Sequence, residues 1–173
     1  MTSAILGHPR LVPIDPATLQ ELGVVRSMVT YNRHTEAPEP GGLFDPAIFS
    51  DGRFGRIVLP EAVTHPLVGP VTELPVLPIA LRPIAKRDGE WIMSSLNTAY
   101  QEVLRHEGRL RRLGELGVAE SIVAGAREPL AQAVAGLIGA LRASLRPDED
   151  SACAALDEAT IATLYAMGLT LRA

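Results

Sequence analysis

The spacing of apolar residues changes at about Met93 and divides the chain into two parts. Beyond that point apolar side chains recur at three- and four-residue steps, which is the period of an amphipathic helix. Two stretches show this period, one from Ser94 to Leu113 and one from Ile122 to Leu141. Between them, the glycines of Gly114-Glu115-Leu116-Gly117 supply a turn. The pattern predicts a long helical hairpin over residues 94–145.

Prolines modify this prediction towards the C-terminus. Pro129 lacks a backbone donor and clashes with the carbonyl four residues earlier, so we expect the second helix to kink or restart near Arg127. The helical period ends again at Arg146-Pro147-Asp148. One further helical pattern, from Asp150 to Met167, predicts a C-terminal helix packed back on the first part of the chain.

The first part of the chain consists of short extended segments. Between Pro60 and Pro83 the prolines are too frequent for a helix, and we expect extended, polyproline-like packing along a core surface. Asp88-Gly89 is a strong hairpin signal because both residues can take positive φ. Ser94 or Ser95 then caps the first long helix. An earlier segment that contains Val24, Val25, Met28 and Val29 is predicted to be a buried extended segment or the start of a strand.

Together these patterns predict an α+β fold in one domain. A length of 173 residues is enough to bury a single core. We expect residues 1–93 to form a small, proline-rich base with short strands. Residues 94–145 are predicted to form a long antiparallel helical hairpin (a coiled coil), and residues 146–173 a C-terminal helical tail.

Composition excludes several classes of protein. The formal net charge of −4 argues against nonspecific nucleic-acid binding by the chain alone. Cys153 is the only cysteine, so neither a disulfide framework nor a cysteine zinc site can form within the chain. No apolar run is long enough to span a bilayer, and the N-terminus lacks a signal-peptide pattern. We therefore predict a cytoplasmic protein with no membrane partner.

The sequence also lacks the residue patterns that are typical of catalysis. The four histidines are scattered without metal-ligand spacing. Neither a glycine-rich phosphate loop nor a Gly-x-Ser-x-Gly elbow occurs. We therefore predict that the chain is not an enzyme and needs no metal and no cofactor.

A series of short motifs in the middle of the chain is distinctive. At close spacing the chain contains Leu81-Arg82-Pro83, Asp88-Gly89, Ser95-Leu96-Asn97, Tyr100, and Arg109-Leu110-Arg111-Arg112-Leu113. These motifs, with the Gly-Leu-Phe and Ile-Phe elements before them, resemble the bacterial RNA polymerase β′ subunit. The similar segment of β′ leads into and forms the clamp helices. In that family the clamp helices are an antiparallel coiled coil that docks sigma factors and later an elongation factor.

The resemblance extends roughly from Val24 to Leu141 and departs from the family in two respects. Only Ser50-Asp51 stands where the family has a cysteine zinc ribbon. The aspartate motif that binds the catalytic magnesium in the family does not occur in this chain. The resemblance therefore implies a module without polymerase activity.

The resemblance also implies a partner-binding surface on the hairpin. With Tyr100 as the reference, two arginines of the family's sigma-docking surface fall on Arg109 and Arg112, whereas His106 replaces a third. Ala126 occupies an important glutamate position, and Pro129 replaces a helix-forming residue. These departures argue against the standard housekeeping sigma interface and favour a shifted specificity or a decoy. The predicted partner-binding residues are Arg105, His106, Arg109, Arg112 and Arg127.

Three interpretations of function remain open at the level of sequence. The first is a β′-like module that binds a sigma-like factor, an elongation factor or another transcription protein through its hairpin. The second is an immunity or antitoxin-like protein that uses the same fold to neutralise a partner protein. The third is a structural piece of a split polymerase. On pattern alone, an ordinary hairpin with a solvated charged face is also a sufficient explanation. On the first long helix this predicted exposed face carries four arginines interrupted by three glutamates: Arg105, Arg109, Arg111, Arg112, Glu102, Glu107 and Glu115.

Overall fold

The protein combines short strands with two long helices. The computed structural model describes residues 11–12, 21–32, 34–66, 69–82, 84–144 and 170–171. The predicted α+β class is confirmed, whereas the predicted C-terminal helix over 150–167 lies outside the described residues. The elements in chain order are β1 (Leu11–Val12), β2 (Gly23–Val24), α1 (Pro46–Phe49), β3 (Gly55–His65), β4 (Gly69–Val76), β5 (Ile84–Arg87), β6 (Glu90–Met93), α2 (Ser95–Glu115), α3 (Glu120–Ser144) and β7 (Thr170–Leu171).

A three-stranded sheet forms the centre of the base, and its strand order is β2-β3-β4. Strand β2 runs parallel to β3, and β4 runs antiparallel to it. The prediction of an extended chain after Pro60 is therefore confirmed, but its polyproline-like character is wrong, because much of that segment pairs as strands. The sheet tolerates its prolines since Pro70 and Pro75 lie in the outer strand β4, and Pro60 lies where the β3–β4 register shifts. A separate pair joins β1 to β7.

The second hairpin of the base, β5–β6, is confirmed. Its turn is Asp88-Gly89, and both residues have positive φ, 51° and 83° respectively. Such a turn matches the right-handed twist of the two strands. The hairpin leads directly into α2, whose N-cap is Ser94. The Ser94 hydroxyl accepts a hydrogen bond from the Asn97 backbone N–H, 3.3 Å away.

The two long helices predicted after Met93 are present as α2 and α3 and contact each other, with two differences from the prediction. The turn comprises residues 116–119, so Gly114 and Glu115 still belong to α2. Helix α3 continues through Pro129, so of the predicted kink or restart near Arg127 the restart does not occur. Gly125, whose carbonyl loses its donor to Pro129, is exposed, so water can hydrogen-bond it. The burial of Leu130 on the next turn also favours a continuous helix.

One core runs from the base into the hairpin. The core residues from α2 are Leu96, Tyr100, Val103, Leu104 and Leu110; those from α3 are Ala126, Leu130, Val134, Leu137, Ile138 and Leu141; and those from the sheet include Ile57, Leu59, Leu74 and Val76.

Among the helices of the described ranges, none combines the length and the apolarity that a bilayer span requires.

Candidate partner-binding surface

Three arginines form an outward-facing row on α2, which we call the arginine row: Arg105, Arg109 and Arg112. Their spacing of four and three residues places them on one side of the helix. All three are exposed, whereas Tyr100 and Leu110 of the same helix are buried against α3 and the base. Helix α2 therefore separates a buried apolar side from a cationic side in solvent.

Two of the predicted partner-binding residues share one carboxylate within α2. The Arg105 guanidinium lies 3.0 Å from Glu102, and His106 Nε2 lies 3.7 Å from the same side chain. The Arg105 side chain is 57% exposed, and an ion pair at such a surface contributes little to stability. A carboxylate of a partner can therefore replace Glu102 at low cost. No ion pair of Arg109 or Arg112 occurs among the described residues.

Arg127 differs from the arginine row because its guanidinium binds two carboxylates of this chain. Its Nε donates to Glu61 of β3 at 2.6 Å, and its Nη1 donates to Glu120 at the start of α3. The hydrogen bonds to Glu120 and Glu61 raise the pKa of Arg127. Arg127 thus links α3 to the base, and these bonds would have to break or be shared for it to bind a partner.

A buried arginine that sequence reasoning missed joins the hairpin to the base. Arg82 is 0% exposed, and its guanidinium donates to the Leu77 carbonyl at 2.7 Å, to Asn97 Oδ1 at 3.1 Å and to the Leu43 carbonyl. Asn97 in turn donates to the Arg82 carbonyl at 2.9 Å. Burial lowers the pKa of Arg82 to about 10. None of the ion pairs found among the described residues includes Arg82, so neutral oxygens satisfy this cation.

Aromatic rings complete the environment of Arg82. Its guanidinium carbon lies 4.5 Å from the ring centre of Phe49, 5.1 Å from that of Phe44 and 6.0 Å from that of Tyr100. The Tyr100 hydroxyl donates to the Pro75 carbonyl at 2.9 Å and accepts from the Leu77 backbone N–H at 3.1 Å. Burial raises the pKa of Tyr100. These contacts connect α1, β4, the 77–82 segment and α2.

A carboxylate is buried further along α2. Glu107 is 1% exposed and pairs with Arg111 on the next turn, while its Oε2 is buried without a hydrogen-bond partner. Burial raises the pKa of Glu107, and the positive charges of Arg111 and Arg26 oppose this shift. The burial of Glu107 contradicts the prediction that it lies on the solvated charged face of the helix. Within the described part of the chain, no three His, Cys, Asp or Glu side chains gather as a potential metal site.

A groove lies beside the arginine row, between α2 and the loop that begins at Met28. We call it the loop–helix groove; its volume is about 520 Å³, and Gln101 and Arg105 line its helix side. Met28 and Val29 line the loop side and are 47% and 43% exposed, so the expectation that these two side chains are buried is wrong. Strand β2 ends at Val24, and the chain beyond it leaves the sheet, so only Val25 remains in the core.

The chain shares a segment with known proteins, although no family model matches it. It is 40% identical over 68 residues to the DNA-directed RNA polymerase subunit β′ of Aliarcobacter butzleri, covering 39% of this chain and 4% of the relative. It is 42% identical over 69 residues to the same subunit of Roseiflexus castenholzii, covering 39% of this chain and 5% of the relative.

A third relative shows a similar identity over a segment of similar length. The chain is 42% identical over 66 residues to the β′ subunit of Desulforudis audaxviator, covering 38% of this chain and 6% of the relative. It therefore spans only a small fraction of the length of the curated relatives that it matches. Within that fraction the similarity is consistent, and we conclude that this chain contains a segment related to the β′ subunit of bacterial RNA polymerase.

Proposed function

We propose that the chain is a non-catalytic, β′-like module that binds a protein of the transcription machinery, a sigma factor or another factor that recognises clamp helices. In this proposal α2 and α3 correspond to the clamp helices and pack as a coiled coil. The observation that carries the proposal is the arginine row, which is exposed on a helix whose opposite side is fully packed.

The way in which α2 is fixed supports a binding role. Two residues of α2 are hydrogen-bonded to the base. Asn97 bonds to Arg82, and the Tyr100 hydroxyl bonds to the backbone of Pro75 and Leu77. A helix fixed in this way presents its outer side in one orientation, so little conformational entropy is lost on association. The packing of Leu130 and Val134 of α3 in the same core keeps the hairpin together.

The chemistry of the arginine row indicates an acidic partner surface. A guanidinium can bind a carboxylate through two parallel hydrogen bonds, which gives both energy and geometry. An exposed arginine changes the free energy of unfolding by about 0.5 kcal/mol or less, whereas at an interface its removal can cost about 2 kcal/mol or more. Binding and stability should therefore respond very differently to substitutions in the arginine row.

The experiment offers purified sigma factors and purified RNA polymerase core from the source organism to the wild type and to the double variant Arg109→Glu with Arg112→Glu. We expect the wild type to capture at least one sigma factor, and the double variant to bind it at least about 30-fold more weakly, which is the effect of about 2 kcal/mol in total. Added salt should weaken wild-type binding. Arg53→Glu with Arg87→Glu is the matched control, since both residues are exposed on the base and the change in charge is the same.

The outcomes separate the functional interpretations. Equal loss of binding in the control variant would show that net charge, and not the arginine row, determines capture. Binding of RNA polymerase core subunits with no sigma factor would favour a piece of a split polymerase. Capture of neither, together with neutralisation of an unrelated enzyme or toxin, would favour the immunity or antitoxin-like alternative.

A further inference from the structure

The loop–helix groove has a preformed wall. Its loop is ordered by backbone hydrogen bonds, among them Arg26 N–H to the Gly41 carbonyl at 2.9 Å and Glu39 N–H to the Thr30 carbonyl at 3.0 Å. Gly42 allows this close approach, since a Cβ there would lie 2.6 Å from the Val29 carbonyl oxygen. The loop therefore holds its shape without a ligand.

A hydrogen bond from α2 fixes the loop against the helix. Gln101 Nε2 donates to the Met28 carbonyl at 3.0 Å, so the backbone of Met28 is tied to α2 while its side chain remains half exposed. At the next turn of the loop, Asn32 Oδ1 accepts from the backbone N–H groups of His34 and Thr35 at 2.9 and 3.2 Å. The groove is thus a fixed concave surface with two adjacent aliphatic side chains on one side.

Arg105 belongs both to the groove and to the arginine row. A ligand in the groove would therefore lie next to the cationic surface that continues along α2 to Arg109 and Arg112. We propose that the groove binds an acidic, amphipathic segment of the protein partner, with an apolar side chain against Met28 and Val29 and a carboxylate against Arg105. This inference rests on the proposed function and specifies which surface of the partner is recognised.

The composition of the groove favours a protein segment over a nucleic acid. Nucleic-acid affinity depends on several cations that neutralise successive phosphates. Here the described lining has one arginine, Arg105, and one histidine, His34, and it also contains the carboxylate of Glu39. Paired aliphatic side chains next to a single arginine suit an apolar contact with one charge-assisted hydrogen bond. Methionine adapts its shape to different apolar partners.

The test compares Met28→Asp with Met28→Lys, using a sigma factor captured by the wild type as the probe. Both substitutions remove the apolar contact, but only aspartate repels an acidic segment. We expect Met28→Asp to weaken binding at least about tenfold, the effect of roughly 1.4 kcal/mol, and Met28→Lys to weaken it clearly less. Ile92→Asp is the control, because Ile92 is 50% exposed on the β5–β6 hairpin, outside the groove. This substitution should change binding less than about twofold.

The outcomes distinguish the groove from the proposed function. If the wild type binds the sigma factor and Met28→Asp binds it equally well, the groove proposal is wrong while the function stands. Equal weakening by aspartate and lysine would overturn the acidic character of the segment. If the wild type binds a short DNA duplex in the groove and Met28→Lys strengthens that binding, the ligand is a nucleic acid. If the wild type binds neither a sigma factor nor another transcription factor that recognises clamp helices, both proposals fail. Circular dichroism melting verifies that each variant is folded, and Val29→Asp provides a second variant at the same site.

Discussion

Arg82 and the arginine row show the same side chain in opposite environments. Arg82 is completely buried, donates to three oxygens of the chain and lies near three aromatic rings. Arg109 and Arg112 are exposed, and neither forms an ion pair within the described ranges. A buried cation has to be satisfied by fixed oxygens, whereas an exposed one is satisfied by water and remains available.

This difference assigns separate roles to arginines that lie close together in sequence. Arg82 holds the first turn of α2 against the base, because its guanidinium donates to Asn97 in that turn. The arginine row lies further along the same helix and contributes charge to its surface. Substitutions of Arg82 should therefore affect folding, and substitutions in the arginine row should affect binding.

The largest effect on stability is expected for Arg82→Met. Methionine retains much of the apolar volume but removes every side-chain donor, which leaves the carbonyls of Leu77 and Leu43 and the Asn97 Oδ1 without this partner. Each buried unsatisfied group costs about 1–3 kcal/mol, so we expect the free energy of unfolding to fall by about 3–5 kcal/mol. Urea denaturation measures this loss. Arg53→Met, at an exposed position of the base, is the control and should change stability by about 0.5 kcal/mol or less.

The sequence predicted the hairpin well because a long apolar period is a strong local signal. It also placed Asp88-Gly89 and Ser94 correctly, since turn and cap chemistry depend on a few neighbouring residues. It could not predict the burial of Arg82 or Glu107, because the groups around Arg82 come from distant parts of the chain and Glu107 looks like one of several surface charges. Likewise, the continuity of α3 through Pro129 depends on tertiary packing that outweighs local propensity.

A smaller loss of stability is expected for Tyr100→Phe. The ring remains in the core, but the hydroxyl that joins the Pro75 carbonyl to the Leu77 N–H is removed. Two buried backbone groups lose this partner, and we expect a loss of about 1–3 kcal/mol, measured by urea denaturation. Wild-type stability in this variant would show that water replaces the hydroxyl, so that Arg82 and Asn97 alone orient α2.

The N-cap of α2 should contribute less than either of these buried groups. Ser94→Ala removes the hydroxyl that accepts from the Asn97 N–H, and the loss of such a cap typically costs about 1 kcal/mol. Thermal melting of this variant should show a small decrease. Ser95→Ala is the matched control: Ser95 is exposed at the first helical position and should tolerate alanine without loss. Equal effects of both substitutions would contradict the capping assignment.

Substitution of Glu107 should raise the stability relative to the wild type, and the gain should depend on pH. Its pKa in the folded state is raised, so between the unfolded value of about 4.3 and the folded value the folded protein binds more protons than the unfolded chain. The wild type therefore loses stability as pH rises through the folded pKa. Glu107→Gln does not titrate, so its stability relative to the wild type should increase as the pH rises from the unfolded value of about 4.3 through the folded pKa.

Urea denaturation of both proteins across that range measures the effect of Glu107→Gln. A difference that stays constant with pH would show that burial does not shift this group. Glu115→Gln is the control, because Glu115 is exposed at the end of α2 and should give no trend comparable to that of Glu107→Gln.

The smallest effect on stability should come from Arg109→Ala. Arg109 is exposed, so its guanidinium is hydrated in the folded and in the unfolded chain, and alanine is the best helix-forming residue. We expect the free energy of unfolding to stay within about 0.5 kcal/mol of the wild type, while affinity for a captured sigma factor falls. Calorimetric melting and a binding titration on the same sample measure both quantities. A loss of stability similar to that of Arg82→Met would remove the distinction between the two kinds of arginine, because it would make the arginine row part of the fold. Unchanged stability with unchanged affinity would leave Arg109 as a solvated surface residue and confine binding to the remaining arginines of the row.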